Sequence, residues 1–242
     1  MLKQIKEEIL NKGVLTNDQI SYLINYPEDS IEPLLDLAYE IKKFYFSKDI
    51  DLCSIVNVKS GLCSEDCTFC AQSSHYDTGA VTYEYIDDNR LKSAIEFYRS
   101  KGVKRFSIVT SGKTLDEKTF QKVLKDVAFV KSTGMIPDVS IGILSKEQLL
   151  KLKEAGLNGF HHNLETSRSF FKNICTTHDY EEDVETVKNA IEAGLYVCSG
   201  GIFGIGESWE DRLELAMELK DLKVPSIPIN FLNPIKGTPL EG

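Results

Sequence analysis

No stretch of this 242-residue chain is a long apolar run, so nothing in it reads as a helix that spans a bilayer. The N-terminus, Met1-Leu2-Lys3-Gln4-Ile5-Lys6-Glu7-Glu8, lacks the apolar core of a secretory signal. Basic charge is also short. Lys and Arg number 28 against 37 Asp and Glu, a net charge of −9, and no basic stripe is present, which argues against a nucleic-acid partner. These absences lead us to expect a cytoplasmic chain, off the membrane. Thiols are kept reduced there, so the six cysteines are expected as metal ligands or buried thiols rather than disulfides. What is present, 42% hydrophobic and 27% charged residues, suits a globular chain with a large core.

Residues 1–50 read as a helical extension. Ile5, Ile9 and Leu10 form an apolar stripe, Thr16-Asn17-Asp18-Gln19 is a helix start, and Ile31, Leu34, Leu35, Leu37, Ala38, Ile41 and Phe44 follow a helical period. Residues 51–242 change pattern. Short β-rich runs, 52–58, 105–110, 138–143, 159–164, 196–200 and 226–231, alternate with helical stretches at 89–100, 116–132, 146–155, 181–193 and 209–222. Ser145 with Gln148 and Ser208 with Asp211 mark helix starts, and Gly102, Gly134, Gly156 and Gly194 mark ends. The alternation predicts an α/β fold with a parallel sheet: a TIM-type (β/α) barrel of about six βα units behind N-terminal helices. After residue 231 no further helix follows, and the expectation is a barrel cut short of its usual eight units.

In such barrels function gathers at the C-terminal ends of the strands. Asn57 and Lys59, Thr110, Ser111 and Gly112, Asn163 and Glu165, Ser199, Gly200 and Gly201, and Asn230 and Asn233 all fall there. Directly after the first strand comes Gly61-Leu62-Cys63-Ser64-Glu65-Asp66-Cys67-Thr68-Phe69-Cys70-Ala71-Gln72-Ser73-Ser74-His75. Three cysteines spaced C-x3-C-x2-C can hold three irons of an iron–sulfur cube and leave the fourth iron open to a small ligand. Structural zinc with His75 as fourth ligand is the alternative, and three unconnected core thiols is another. His161 and His162 are adjacent on a strand and so point to opposite faces. We expect His162 to pack and His161 to be a substrate-side or supporting group.

The cysteine loop, placed after the first strand of a βα repeat, resembles the radical S-adenosylmethionine superfamily. His162-Asn163-Leu164-Glu165-Thr166-Ser167, Cys198-Ser199-Gly200-Gly201-Ile202, Gly204-Ile205-Gly206-Glu207, Pro228-Ile229-Asn230 and Lys236-Gly237-Thr238-Pro239-Leu240 extend the likeness to the biotin synthase family. The resemblance implies a [4Fe-4S] cluster on Cys63, Cys67 and Cys70 that binds S-adenosylmethionine at its open iron. It implies a 5′-deoxyadenosyl radical that takes hydrogen from dethiobiotin, and an auxiliary iron–sulfur cluster that supplies the sulfur. Asn163 and Glu165 would contact S-adenosylmethionine and the substrate, Asn230 the substrate, and Ser111, Gly112, Gly200 and Gly201 the cofactor. A flavodoxin- or ferredoxin-type donor and a homodimer are further implied. Related chemistry of the hydrogenase-maturation or methylornithine-synthase type is the nearest alternative, and a zinc-stabilised non-catalytic barrel is one of another class.

One departure stands out. The family's [2Fe-2S] ligands on strands two, three and five fall here on Ser107, Asp138 and Cys198, so only one thiol remains. Cys53, Cys175 and Cys198 are the cysteines left over, and we expect them as candidate ligands of an auxiliary cluster, [2Fe-2S] or another type, with buried free thiols as the alternative.

Overall fold

Thr16 opens the best-capped of the early helices: its hydroxyl accepts from Gln19 N–H while the Gln19 side chain accepts from Thr16 N–H, a reciprocal box. The computed structural model describes all 242 residues and divides into two units, Met1–Asp51 and Leu52–Gly242. The first holds α1 (Leu2–Lys12), α2 (Asn17–Ile24) and α3 (Glu32–Phe46). Within it, Ile5 and Leu37 are buried, Lys6 pairs with Glu40, and Tyr45 OH donates to the Ile9 carbonyl (3.0 Å).

The second unit alternates strands and helices: β1 (Cys53–Lys59), α4 (Asp88–Ser100), β2 (Arg105–Thr110), α5 (Glu117–Ser132), β3 (Ile136–Ser140), α6 (Lys146–Ala155), β4 (Gly159–His161), α7 (Tyr180–Glu192), β5 (Tyr196–Cys198), β6 (Gly201–Phe203), α8 (Trp209–Asp221) and β7 (Ile229–Phe231). β1 to β5 form one parallel sheet in sequence order, and β6 pairs with β7, also parallel. Bridges from Cys198 to Ser226 and from Glu165 to Gly201 join the two sheets. A helix follows each of β1 to β4 and β6, β5 runs almost directly into β6, and strand order equals chain order, which is the (β/α) barrel pattern.

Packing follows from period. On α5, Phe120, Val123, Val127 and Val130 recur at steps of three and four and are all buried. Strand residues alternate faces: Phe106 and Ile108 of β2, Val139 of β3, Phe160 of β4 and Val197 of β5 join the helix residues in one apolar core. The opposite, inner face carries polar groups, Ser107 and Asp138, both fully buried.

Strands end earlier than the sequence pattern implies. β3 runs 136–140 rather than 138–143, because the backbone turns at Gly142 (φ +81). A Cβ there would stand 2.2 Å from the Lys113 carbonyl oxygen, so only glycine fits. β4 stops at His161, and the expected fifth strand breaks after Cys198 and restarts at Gly201 as β6.

Candidate active site

Parallel strands bring the loops after β1, β2, β3 and β4 to one end of the sheet, where they enclose a cavity of about 330 Å3. Its walls include Cys63, Cys67 and Cys70 from the β1 loop, Ser111 and Gly112 after β2, and Asn163, Glu165 and His178 after β4. A volume of this size falls in the small-ligand range.

The cysteine loop folds on itself. Cys63 N–H donates to the Gln72 carbonyl (2.9 Å), Ser74 N–H to the Cys63 carbonyl (2.8 Å) and Cys70 N–H to the Cys67 carbonyl (3.0 Å). The Gln72 side-chain oxygen accepts from Ser60 Oγ (3.0 Å) and Gly61 N–H, and Ser111 Oγ donates to the Gly61 carbonyl (2.7 Å). Thus β2 props the loop through Ser111, whose hydroxyl is engaged by the protein itself. All three thiols are half-buried and free of disulfides. Three soft donors on one short loop, facing one cavity, fit a [4Fe-4S] cluster. Burial raises the Cys70 thiol, and Cys67 is raised by the neighbouring Cys175 thiol and then by burial; iron binding would displace both protons. His75, the candidate zinc ligand, is exposed, lies outside the cavity lining and has Nε2 2.9 Å from the Ser64 carbonyl oxygen.

Asn163 and Glu165 stand together on the cavity wall. Asn163 Nδ2 donates to Glu165 Oε2 (3.4 Å), and Asn163 Oδ1 accepts from Gly200 N–H (3.1 Å). Glu165 has a left-handed backbone (φ +64), a conformation costly for a side-chain-bearing residue and frequent at functional sites. Burial pushes its carboxyl up to about 7, opposed by the Asn163 bond and aided by the Asp183 charge.

Several expected residues take other roles. Gly200 and Gly201 are outside the cavity lining. A Cβ on Gly200 would lie 1.9 Å from the Pro228 carbonyl oxygen, and one on Gly201 2.5 Å from that of Glu165, so both glycines serve strand packing. Asn230 is exposed on β7, opposite Ile202 and away from the cavity. The strand-alternation reading of the histidines fails because β4 ends at His161, and both rings reach the cavity. His161 Nε2 is 3.6 Å from Asp138, while His162 stacks on Phe160 and has Nε2 2.8 Å from Asp183.

The spare cysteines do not gather. Cys175 is buried on the cavity wall, next to Cys67 and 3.1 Å from His178 Nδ1. Cys198 meets Ser226 Oγ (3.5 Å) and burial raises its thiol; Cys53 is exposed at the start of β1, and neither lines the cavity. A set of Cys53, Cys175 and Cys198 is therefore not one site. The layer of Ser107, Asp138 and Cys198 does not suit a three-thiolate cluster either. Asp138 is engaged by Arg105 through two bonds of 2.7 and 2.8 Å, and the buried Ser107 hydroxyl has no partner.

Four cavity residues that the sequence reading passed over are Glu65, Lys113, His178 and Asp183. Donor atoms of Glu65, Cys175 and His178 lie within 4.8 Å of one another, and the His178 ring bonds to both of the others. His178 was legible only as a polar residue near Cys175.

Comparison with known proteins places this geometry. The profile of the radical SAM superfamily matches residues 57–219. A biotin synthase of Thermodesulfovibrio yellowstonii is 51% identical over 223 residues, covering 91% of this chain and 70% of that protein. Biotin synthases of Clostridium botulinum (47% identical; 98% and 74% covered) and Pelotomaculum thermopropionicum (45% identical; 100% and 76% covered) agree. Among solved structures, methylornithine synthase superposes with a TM-score of 0.87 at 19% identity, covering 98% of this chain and 70% of that one. The hydrogenase maturase HydG superposes with 0.82 at 18%, covering 97% and 54%; likenesses this distant speak to the fold alone. The chain belongs to the biotin synthase family of the radical SAM superfamily.

Proposed function

We propose that this chain is a biotin synthase acting on dethiobiotin with S-adenosylmethionine, and that its reaction is staged in the cavity behind Cys63, Cys67 and Cys70. The observation that carries the site is the placing of three free thiols and the Asn163–Glu165 pair on the wall of one cavity. Membership of the family implies a [4Fe-4S] cluster, S-adenosylmethionine and an auxiliary iron–sulfur cluster. The [4Fe-4S] cluster, when bound, supplies the electron that cleaves S-adenosylmethionine and so starts hydrogen abstraction from the substrate.

The residues of the chain would do the rest. Cys63, Cys67 and Cys70 would hold the cluster. Asn163 would orient ribose hydroxyls through its amide, and Glu165 would accept from them once ionised. Gln72 and Ser111 hold the loop and the wall in register. Phe69, Ile143, Phe171 and Ile174 line the cavity with apolar surface, which keeps water from a reactive carbon centre. No step is assigned to an auxiliary cluster on Ser107, Asp138 and Cys198, because that donor set does not match one.

We further propose a flavodoxin- or ferredoxin-type electron donor, a homodimer and a cytoplasmic setting; no helix is long and apolar enough to cross a membrane. The test is anaerobic incubation of the reconstituted chain with dithionite, S-adenosylmethionine and dethiobiotin. The expected products are 5′-deoxyadenosine and biotin. Absence of 5′-deoxyadenosine would refute the radical reading, and 5′-deoxyadenosine that carries no deuterium from deuterated dethiobiotin would refute the substrate; biotin itself also requires a sulfur donor, which the sulfide of the reconstitution must supply.

A further inference from the structure

Two acidic residues, Glu65 and Asp66, sit between Cys63 and Cys67. Glu65 is buried, and a carboxylate taken out of water needs hydrogen-bond donors if the loop that carries it is to keep its shape. A second segment of the chain supplies them. Residues 174–178, which follow a short 3-10 turn at Phe171–Asn173, lie along the cysteine loop and bond to it repeatedly.

The contacts run in step. Thr68 N–H donates to the Ile174 carbonyl (2.9 Å). Asp66 accepts from Thr176 N–H (2.8 Å) and Thr177 N–H (3.3 Å), and also from the Thr176 hydroxyl. Asp66 N–H donates to Thr177 Oγ1 (3.2 Å). Glu65 Oε2 accepts from Thr177 Oγ1 (2.7 Å) and from His178 Nδ1 (2.7 Å). The His178 ring then continues inward: Nε2 lies 3.2 Å from Asp183 Oδ2 on α7, and Asp183 Oδ1 lies 2.8 Å from His162 Nε2 just past β4. Against burial, the bonds to Asp183 and Cys175 push the His178 imidazole up to about 11, and donors from Thr176 and Thr177 hold Asp66 well below the usual carboxylate range, also against burial.

We propose that residues 174–178 are a strap that keeps the cysteine loop in its ligating shape, with His178 as the positioning residue that ties the loop through Asp183 and His162 to the Asn163–Glu165 wall. This rests on the reading of Cys63, Cys67 and Cys70 as cluster ligands. The strap bonds to Glu65, Asp66 and Thr68, between and beside the cysteines, and its Cys175 stands next to Cys67, so loosening it would slacken the loop without removing any of the three thiols. Groups that orient ligands in this way commonly change metal affinity by about 10- to 100-fold when removed.

The test uses the full chain, reconstituted anaerobically with iron and sulfide, in five forms: native, Thr177→Val, His178→Ala, His178→Asn and His178→Gln. Thr177 is exposed, and valine keeps its shape without the hydroxyl, so that variant retains the fold. Asparagine places an amide near the position of Nδ1, facing Glu65; glutamine places one near Nε2, facing Asp183. Thermal unfolding of the cluster-free forms establishes which variants fold. A ferrous chelator is then added, and the rate at which the cluster absorbance decays is followed.

The strap predicts about tenfold faster iron loss for Thr177→Val and His178→Ala than for the native chain. It also predicts that His178→Asn recovers retention better than His178→Gln, since the contact with the loop is the one that matters. A residue that only fills space would rank the two amides alike. Should His178→Ala fail to fold, Thr177→Val decides. A native chain that keeps its cluster while folded Thr177→Val releases iron at the native rate overturns the strap alone. A native chain that takes up no cluster overturns the ligand assignment and the strap together.

Discussion

Glu165 is the residue at which chemistry and backbone strain coincide. Its carboxyl sits at about 7 inside the fold against the ordinary 4.5, because burial disfavours the ion. The native chain therefore holds that proton more tightly than the unfolded chain does, and ionising Glu165 inside the fold costs stability. The cost is absent below the unfolded value and complete above about 7. Glu165→Gln in the cluster-free protein is thus expected to unfold at nearly the native temperature at pH 5 and about 2–4 °C above it at pH 8, for each kcal/mol relieved. An equal difference at both pH values would show that Glu165 does not titrate with folding. Among residues, the thiol spacing and the strand-end polar pair were readable because both are local patterns. The role of His178 was not, since its partner Glu65 lies 113 positions away and only the fold brings them together. The packing demand on Gly200 and Gly201 was hidden for the same reason: the atoms that forbid a side chain there belong to Pro228 and Glu165.

At the scale of elements, helices were read closely and strands less so. α5 and α6 begin and end within a residue of the predicted limits, because caps such as Ser145 with Gln148 are local hydrogen-bond chemistry. Strand ends depend on where a neighbour stops offering partners, and so β3, β4 and β5 were all drawn too long at the C-terminal side. The break between β5 and β6 is where the two sheets meet, and Gly200 makes the close approach possible. Gly200→Ala should cost about 3 kcal/mol, the upper end for overpacking, since its clash is with backbone. Gly102→Ala, with no atom within 4 Å of the added carbon, should cost about 1 kcal/mol from its left-handed φ of +77 alone. Urea unfolding of both variants measures this, and equal costs would contradict the packing role of Gly200.

At the scale of the whole molecule, the order of strands was legible from the alternation of β-rich and helical segments, and with it the gathering of loops at one end. Membership of the family rests on identities of 42–51% over most of the chain, well beyond what cysteine spacing alone could specify. What the alternation could not reveal was how the spare thiols divide. Cys175 went to the cavity wall, while Cys53 and Cys198 stayed apart from it, so no second three-thiol site forms. The central claim is that Cys63, Cys67 and Cys70 hold a cluster with one iron open to S-adenosylmethionine. Low-temperature EPR of the dithionite-reduced, reconstituted chain tests it most directly. The account predicts a [4Fe-4S] signal that changes shape when S-adenosylmethionine is added and is lost in Cys67→Ala; a signal indifferent to S-adenosylmethionine, or one that survives that substitution, would contradict it.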